Sequence, residues 1–307
     1  MAASELAASI TRAGATAQVA MADPPPRVRT FALTDFVEAR LARRAAVLGI
    51  AEHDPGAVIY CSITAALLWP RPGAISVDSI AAANRPGRHG IWQRPVERMR
   101  LKRAPLVLAW SERALEPLRG AHPDVVFVSA PVETPSAFHD HPRDIAAVTY
   151  AGDPEKRRLA LVVEAWNRAR RPDETMVVVG TDTIASSEGV AVAGRLAPND
   201  FHALLGRARA FVAAPRREDF GISALEALAH GCQLVTTPAP GPYPALDIAR
   251  KVDTRLVSDD LVKAIRFALD DPVPDYAERA AHLLAPYHRD AVDRVIADQV
   301  LPRLLDR

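Results

Sequence analysis

Glu218 and Glu226 stand with seven residues between them in Ala-Pro-Arg-Arg-Glu-Asp-Phe-Gly-Ile-Ser-Ala-Leu-Glu-Ala-Leu-Ala-His-Gly, residues 214–231. A carboxylate accepts hydrogen bonds from hydroxyls and is a poor partner for phosphate, so two at this spacing suit different parts of one elongated, hydroxylated ligand. The apolar run 210–214 reads as a buried strand that Pro215 ends, and Ile222, Leu225 and Leu228 form the apolar face of a following helix. Glu218 then belongs to the loop and Glu226 to the second helical turn. Around Phe220, Gly221, Ile222 and Ser223 the helix start offers unpaired N–H groups, a seat for a phosphate or sugar hydroxyl. Gly221 allows close approach to the backbone.

A second set lies upstream, where a strand over 147–150 leads through Gly152 and Lys156 into a helix predicted over 157–170. Lysine is scarce in this chain, with only Lys102, Lys156, Lys251 and Lys263. From residue 146 on, strands are predicted at 147–150, 176–180, 190–193, 210–214, 233–236 and 255–257. Helices are predicted between them at 157–170, 199–207, 222–230, 244–250 and 259–269, with Asn199 and Asp259 as N-caps and Gly231 as a C-cap. That alternation implies a parallel, doubly wound sheet with ligands beyond its carboxyl edge. Gly152, Gly180, Gly194 and Glu218 all fall just past predicted strand ends.

The Glu218-to-Glu226 segment resembles the E-x7-E glycosyltransferases of family 4, which are retaining, metal-independent enzymes of GT-B architecture. The resemblance covers residues 145–270 well and the first half loosely. It implies an α/β fold of two Rossmann-like, doubly wound domains facing across a cleft, the first lacking its initial strand. It also implies transfer of a sugar from a nucleotide-diphosphate donor to an acceptor hydroxyl with retention. By the same resemblance Glu218 and the amides of Phe220 to Ile222 hold the donor sugar, Glu226 binds the ribose, and Lys156 neutralises the diphosphate. Gly180, Gly194, Arg195 and Ser223 complete the expected donor site. Asp153 departs from the family, standing where an arginine is common, and Arg157 or Arg158 could replace that cation. The loop 238–244 departs as well.

The 307 residues, 49% of them hydrophobic, suffice for two domains of about 150 residues each. We expect an acceptor-side domain over 1–130, a linker over 130–142, a donor-side domain over 143–275, and a C-terminal helix over 276–307 that crosses back onto the first domain. A net charge of +1 argues against nucleic-acid binding driven by phosphate neutralisation. Cys61 and Cys232 read as reduced packing residues, and the sequence shows neither a membrane span nor a signal peptide. The expected location is cytoplasmic, with a peripheral membrane contact through the basic run Arg94, Arg98, Arg100, Lys102 and Arg103 as an alternative to a solvated helix face. No Asp-x-Asp pair occurs, so no metal is expected; His139 and His141 lack a third ligand. No cofactor is expected beyond the nucleotide sugar as co-substrate.

In the first half, strands are predicted at 57–61, 74–77, 106–109 and 125–128. Residues 1–21 look like the first helix and second strand of the family's first domain, which places the expected true start upstream. Past the strand ending at Val77, Asp78 is the first candidate catalytic group of this half, followed by Asn84, Arg85 and His89. The acceptor, whether glycan, lipid-linked or small molecule, is not specified, nor are the donor sugar and the oligomeric state. Two other readings fit part of the pattern: a noncatalytic nucleotide-sugar-binding or partner-supporting protein, and an epimerase or phosphorylase on a related fold.

Overall fold

A computed structural model describes residues 3–26, 30–85, 87–118, 124–133 and 142–305. His139 and His141 lie outside them. The chain forms two compact units, residues 1–131 with 289–307, and residues 132–288. Both are α/β with parallel sheets.

The first unit has strands β1 (Ile59–Tyr60), β2 (Ala74–Val77), β3 (Val107–Ala109) and β4 (Val125–Phe127) in sheet order 1-2-3-4. Its helices in chain order are α1 (Ala3–Arg12), α2 (Phe31–His53), α3 (Ile63–Ala66), α4 (Ala81–Asn84) and α5 (Gln93–Arg103). Ile75, Val77, Ile80, Leu101, Val107 and Ala109 form its core. Thr30 caps α2 by accepting from Leu33 N–H, and Asp54 ends it with a left-handed φ of 40°.

Residues 15–26 depart from the second-strand expectation: they form no regular element and join no sheet. Close packing on α2 holds them, since a Cβ at Gly49 would lie 2.9 Å from the Ala20 Cβ. With β1 they border a cavity of about 760 Å³ lined largely by apolar groups, Leu6, Ile10, Ile50, Val58 and Leu304 among them.

A buried polar layer underlies the carboxyl end of β2. Asp35, 5% exposed, accepts from Arg85 and from Gln93 Nε2 at 2.8 Å. Glu97, 1% exposed, accepts from the Ala81 N–H at 2.8 Å and so holds the start of α4. Burial pushes the Glu97 carboxyl up to about 7.

The second unit carries β5 (Ile145–Tyr150), β6 (Met176–Val179), β7 (Val190–Gly194), β8 (Ala208–Ala213) and β9 (Gln233–Thr236) in the order 7-6-5-8-9. Between and after them run α6 (Leu159–Ala169), α7 (Pro198–Arg207), α8 (Ile222–Ala229), α9 (Pro244–Val252), α10 (Leu261–Asp270) and α11 (Tyr276–Leu284). The central strands are apolar on both faces, as a sheet covered by helices on both sides requires.

Four further expectations need correction. Residues 254–256 form a 3-10 turn rather than a strand, because the Asp253 side chain accepts from Arg255 N–H and starts a helical turn; only Val257 bridges to Thr236. Helix α7 begins at Pro198 with no side-chain cap, so Asn199 is not its N-cap, and Asp260 rather than Asp259 caps α10. The C-terminal segment is not one helix over 276–307. Helix α11 packs on α8 and α9 within the second unit, and the chain rejoins the first unit at α12 (Arg289–Val295), a π-helical turn at 296–300 and α13 (Leu301–Leu305). Ion pairs secure that return: Arg12 to Asp293 at 2.6 Å and Arg289 to Glu5. No helix among the described residues is long and apolar enough to cross a membrane.

A carboxyl raised by burial favours the folded state while protonated and loses that contribution as pH climbs through its folded value. Glu97→Gln therefore removes a pH dependence. Between about pH 4.5 and pH 7 the wild-type chain should lose up to about 3 kcal/mol of stability relative to the variant, read by urea denaturation across that range; parallel pH profiles would contradict the assignment.

Candidate functional site

All five strands of the second unit run in parallel, so their carboxyl ends share one edge. The chain leaves β5 towards β6 on one side and reaches β8 on the other, which makes the β5–β8 boundary the switch point where a crevice forms. Residues 151–158 and 214–221 flank it.

The loop after β5 is a compact turn. Asp153 Oδ1 accepts from Lys156 N–H at 3.0 Å, and the Asp153 carbonyl accepts from Arg157 N–H at 2.9 Å. Asp153 thus shapes the turn that carries Lys156. Tyr150 fills the space behind it, since a Cβ at Gly152 would lie 2.5 Å from the Tyr150 Oη and one at Gly180 2.8 Å from its ring. Gly180 also has φ of 94°.

Three arginines fasten this turn to the neighbouring loop. Arg216 N–H donates to the Lys156 carbonyl at 2.9 Å. Arg158, in a left-handed conformation at φ 49°, donates from Nε to the Ala214 carbonyl at 2.6 Å and from Nη2 to Thr237 Oγ1 at 2.9 Å. Arg157 forms an ion pair with Glu218, and its guanidinium lies 6.0 Å from the Tyr150 ring centre. Lys156 itself is exposed, and its ammonium has no ion-pair partner among the described residues.

Glu218 is 4% exposed. Its N–H donates to the Pro240 carbonyl at 3.0 Å, and a Cβ on Gly241, whose φ is 112°, would fall 2.1 Å from its carbonyl oxygen. Gly221, at φ 74°, packs its Cα side against Tyr243 and the Glu218 Cγ. Tyr243 is buried, which pushes its phenol up to about 12. The 238–243 loop is thus the backing of the Glu218 loop.

Helix α8 starts at Gly221 with no side-chain cap, and no hydrogen bond from the Ile222 or Ser223 N–H to a described residue is formed. These amides and the positive end of α8 suit an anion or a hydroxyl oxygen. Ile222 is exposed, whereas Phe220 and Ser223 are buried, so the last two act through their backbone or by packing. One turn on, Glu226 Oε1 lies 3.3 Å from His202 Nε2. Burial raises the Glu226 carboxyl and His202 opposes the rise.

The structure therefore gathers Gly152, Lys156, Arg157, Gly180, Glu218, Phe220, Gly221, Ile222, Ser223 and Glu226 on strand-end loops and the start of α8. Gly194, at φ 66°, ends β7 and exposed Arg195 follows it, on the outer edge of the same sheet. In the first unit, exposed Asp78 ends β2 and accepts from Ser79 N–H at 2.7 Å. Asn84 donates to Ser79 Oγ at 2.7 Å and Arg85 is occupied by Asp35. The His89 side chain lies outside the described part.

Sequence reasoning missed His202, Tyr150, Gly241 and the anchoring role of Arg158. His202 reaches Glu226 across 24 positions, a contact that no local spacing announces.

Residues 143–290 match the family described as glycosyl transferases group 1. A phosphatidyl-myo-inositol mannosyltransferase of Propionibacterium freudenreichii subsp. shermanii is 44% identical over 69 residues; the match spans 22% of this chain and 18% of that protein's length. Among solved structures, WaaG, a glycosyltransferase involved in lipopolysaccharide biosynthesis, aligns with a TM-score of 0.70 at 14% identity, covering 97% of this chain and 94% of its own. Sucrose-phosphate synthase of Thermosynechococcus elongatus aligns with a TM-score of 0.64 at 15% identity, covering 89% and 79%. These likenesses show the fold, which is GT-B.

Gly241→Ala places a methyl group against the Glu218 carbonyl in a backbone region that alanine avoids. It should destabilise the second unit by about 2–4 kcal/mol. Gly206→Ala on α7, where a Cβ meets nothing within 4 Å, should be neutral or stabilise by about 0.5–1 kcal/mol. Chemical denaturation of both variants checks the pair; equal effects would contradict the packing described.

Proposed function

We propose that this protein is a glycosyltransferase that moves a sugar from a nucleotide-diphosphate donor to an acceptor hydroxyl, with retention at the anomeric carbon and without a metal. The observation that carries the reading is the partition of charge at the β5–β8 edge. Arg157 and Arg158 are held by protein groups, while the Lys156 ammonium and the first amides of α8 remain open to an anion. A glycosyl transferases group 1 domain over these residues supports it.

In this reaction the bond from the anomeric carbon to the diphosphate oxygen breaks, and its electron pair stays on the diphosphate. The acceptor oxygen bonds to the carbon and its proton passes to the departing diphosphate. Charge grows on the departing diphosphate, so Lys156 and the α8 amides act where preorganised electrostatics lowers the barrier most. Asp153 supplies no positive charge; its part is to fix the turn that presents Lys156.

Glu226 accepts from the ribose hydroxyls. The amides of Phe220 to Ile222 hold the sugar, and the Arg157–Glu218 pair fixes their position, with Glu218 contacting a sugar hydroxyl only through whatever acceptor capacity Arg157 leaves. Gly152, Gly180, Gly194 and Arg195 line the rest of the donor site. In the first unit Asp78 is the residue we assign to the acceptor side.

A panel of UDP- and GDP-sugars, followed by thermal shift and by release of free nucleotide diphosphate, tests this. A donor at 100 times its dissociation constant should add about 2.7 kcal/mol to the native state. Lys156→Ala should weaken that donor by roughly tenfold to a hundredfold, as expected for loss of a charged hydrogen bond worth about 1.5–3 kcal/mol. Unchanged affinity in the variant would remove Lys156 from the diphosphate. Binding without turnover in the presence of acceptors would count against the enzyme reading.

A further inference from the structure

His202 has no part in the reading above, yet it is the side chain that meets Glu226. It lies on α7, which enters after the β7 end that carries Gly194 and Arg195, and its Nε2 is 3.3 Å from Glu226 Oε1. The two side chains are 20% and 21% exposed, half-sheltered but open on one side. The imidazole is also held from behind: its ring lies 5.2 Å from that of His230, tilted by 32°. The preceding residue, Phe201, packs 6.1 Å from Tyr150, the ring behind Gly152 and Gly180. One helix therefore touches both the carboxylate and the wall of the turn that bears Lys156.

We propose, resting on the assignment of Glu226 to the ribose, that His202 is a positioning residue whose imidazole holds the Glu226 carboxylate in place for the hydroxyls of the nucleotide. A ribose offers two neighbouring O–H donors. With one lone pair of Oε1 engaged by the imidazole N–H, the other carboxylate lone pairs stay directed at the open side, where those hydroxyls can be accepted. The contact has a second effect. Burial disfavours the charged form of Glu226, and a protonated carboxyl would present a donor where the ribose needs an acceptor. His202 works against that burial. Among the groups on α7, β8, β9, α9 and α11 that pack around α8, it is the side chain that acts on this carboxyl, with His230 beyond it.

Without His202 the burial remains and its opposition goes, so protonation of Glu226 starts to cut nucleotide affinity at a higher pH. Calorimetric titration with UDP and with GDP from pH 5 to 8, on the whole chain, measures this for wild type, His202→Ala, His202→Gln and Glu226→Gln. The acid limb of affinity should move to higher pH in His202→Ala, with a threefold to tenfold loss near pH 6. His202→Gln, which keeps a donor, should recover part of it. Adding His202→Ala to Glu226→Gln should change nothing further. A loss uniform across pH, a loss that persists in the Glu226→Gln background, or no loss overturns the role of His202 while leaving the ribose assignment intact. If Glu226→Gln leaves affinity and its pH profile unchanged, or if wild type binds neither nucleotide, the ribose assignment falls and the role of His202 falls with it.

Discussion

The buried ion pair between Arg157 and Glu218 is the constraint on which the second unit's functional edge depends. Glu218 is almost wholly removed from solvent, so its charge is tolerated only because a guanidinium meets it. Breaking such a pair from one side typically costs about 3–5 kcal/mol, because the other charge is left buried and alone. The pair joins the turn after β5 to the loop after β8, the two segments that flank the switch point. Arg158 and the Arg216 N–H add neutral-acceptor bonds across the same boundary. The loops consequently behave as one block, and the demands of that block reach outward: Gly221 and Gly241 have positive φ and lie where any side chain would strike Glu218 or Tyr243.

This arrangement explains a departure in sequence that would otherwise weaken the functional reading. An aspartate stands at position 153 in a loop expected to carry a cation, yet the loop is not short of positive charge. Its arginines are spent on structure, and the aspartate closes the turn from which Lys156 projects. The result separates two jobs that one cluster of cations could have shared. Internal cations hold the loops, and one exposed ammonium with the open end of α8 is left for a ligand. In the proposed reaction a diphosphate would meet a surface whose geometry is set before it arrives, which would keep reorganisation low during charge development.

Much of the second unit was legible in the chain because its signals are local and repeated. Short apolar runs ended by Gly or Pro marked β5, β6, β7, β8 and β9, and apolar faces at helical spacing marked the helices between them, with ends correct to a few residues. The failures came where a short-range side-chain bond outweighed pattern. Asp253 turned a predicted strand at 255–257 into a helical turn, and Pro198 began α7 earlier than Asn199 suggested. The C-terminal stretch read as one helix, yet the apolar residues of α11 belong to the second unit and those beyond Arg289 to the first, and periodicity cannot say which core a face will join. Of the candidate site, Glu218, Glu226 and Lys156 stand out from spacing and from residue type. His202, Tyr150 and the anchoring bonds of Arg158 were not, since each is a contact between segments far apart in sequence. The first unit was less legible because its strands are two to four residues long and its polar layer, Asp35 with Arg85, Gln93 and Glu97, is assembled from two separate helices and the residue that ends a third.

Amide hydrogen exchange on the whole chain, with and without a bound nucleotide-sugar donor, tests the central claim most directly. If Lys156 and the start of α8 seat the diphosphate, the donor should slow exchange in the segments 152–158 and 220–226 together, because those amides would gain partners or lose solvent at one event. Protection confined to other segments, with 220–226 exchanging as fast as in the free protein, would contradict the account.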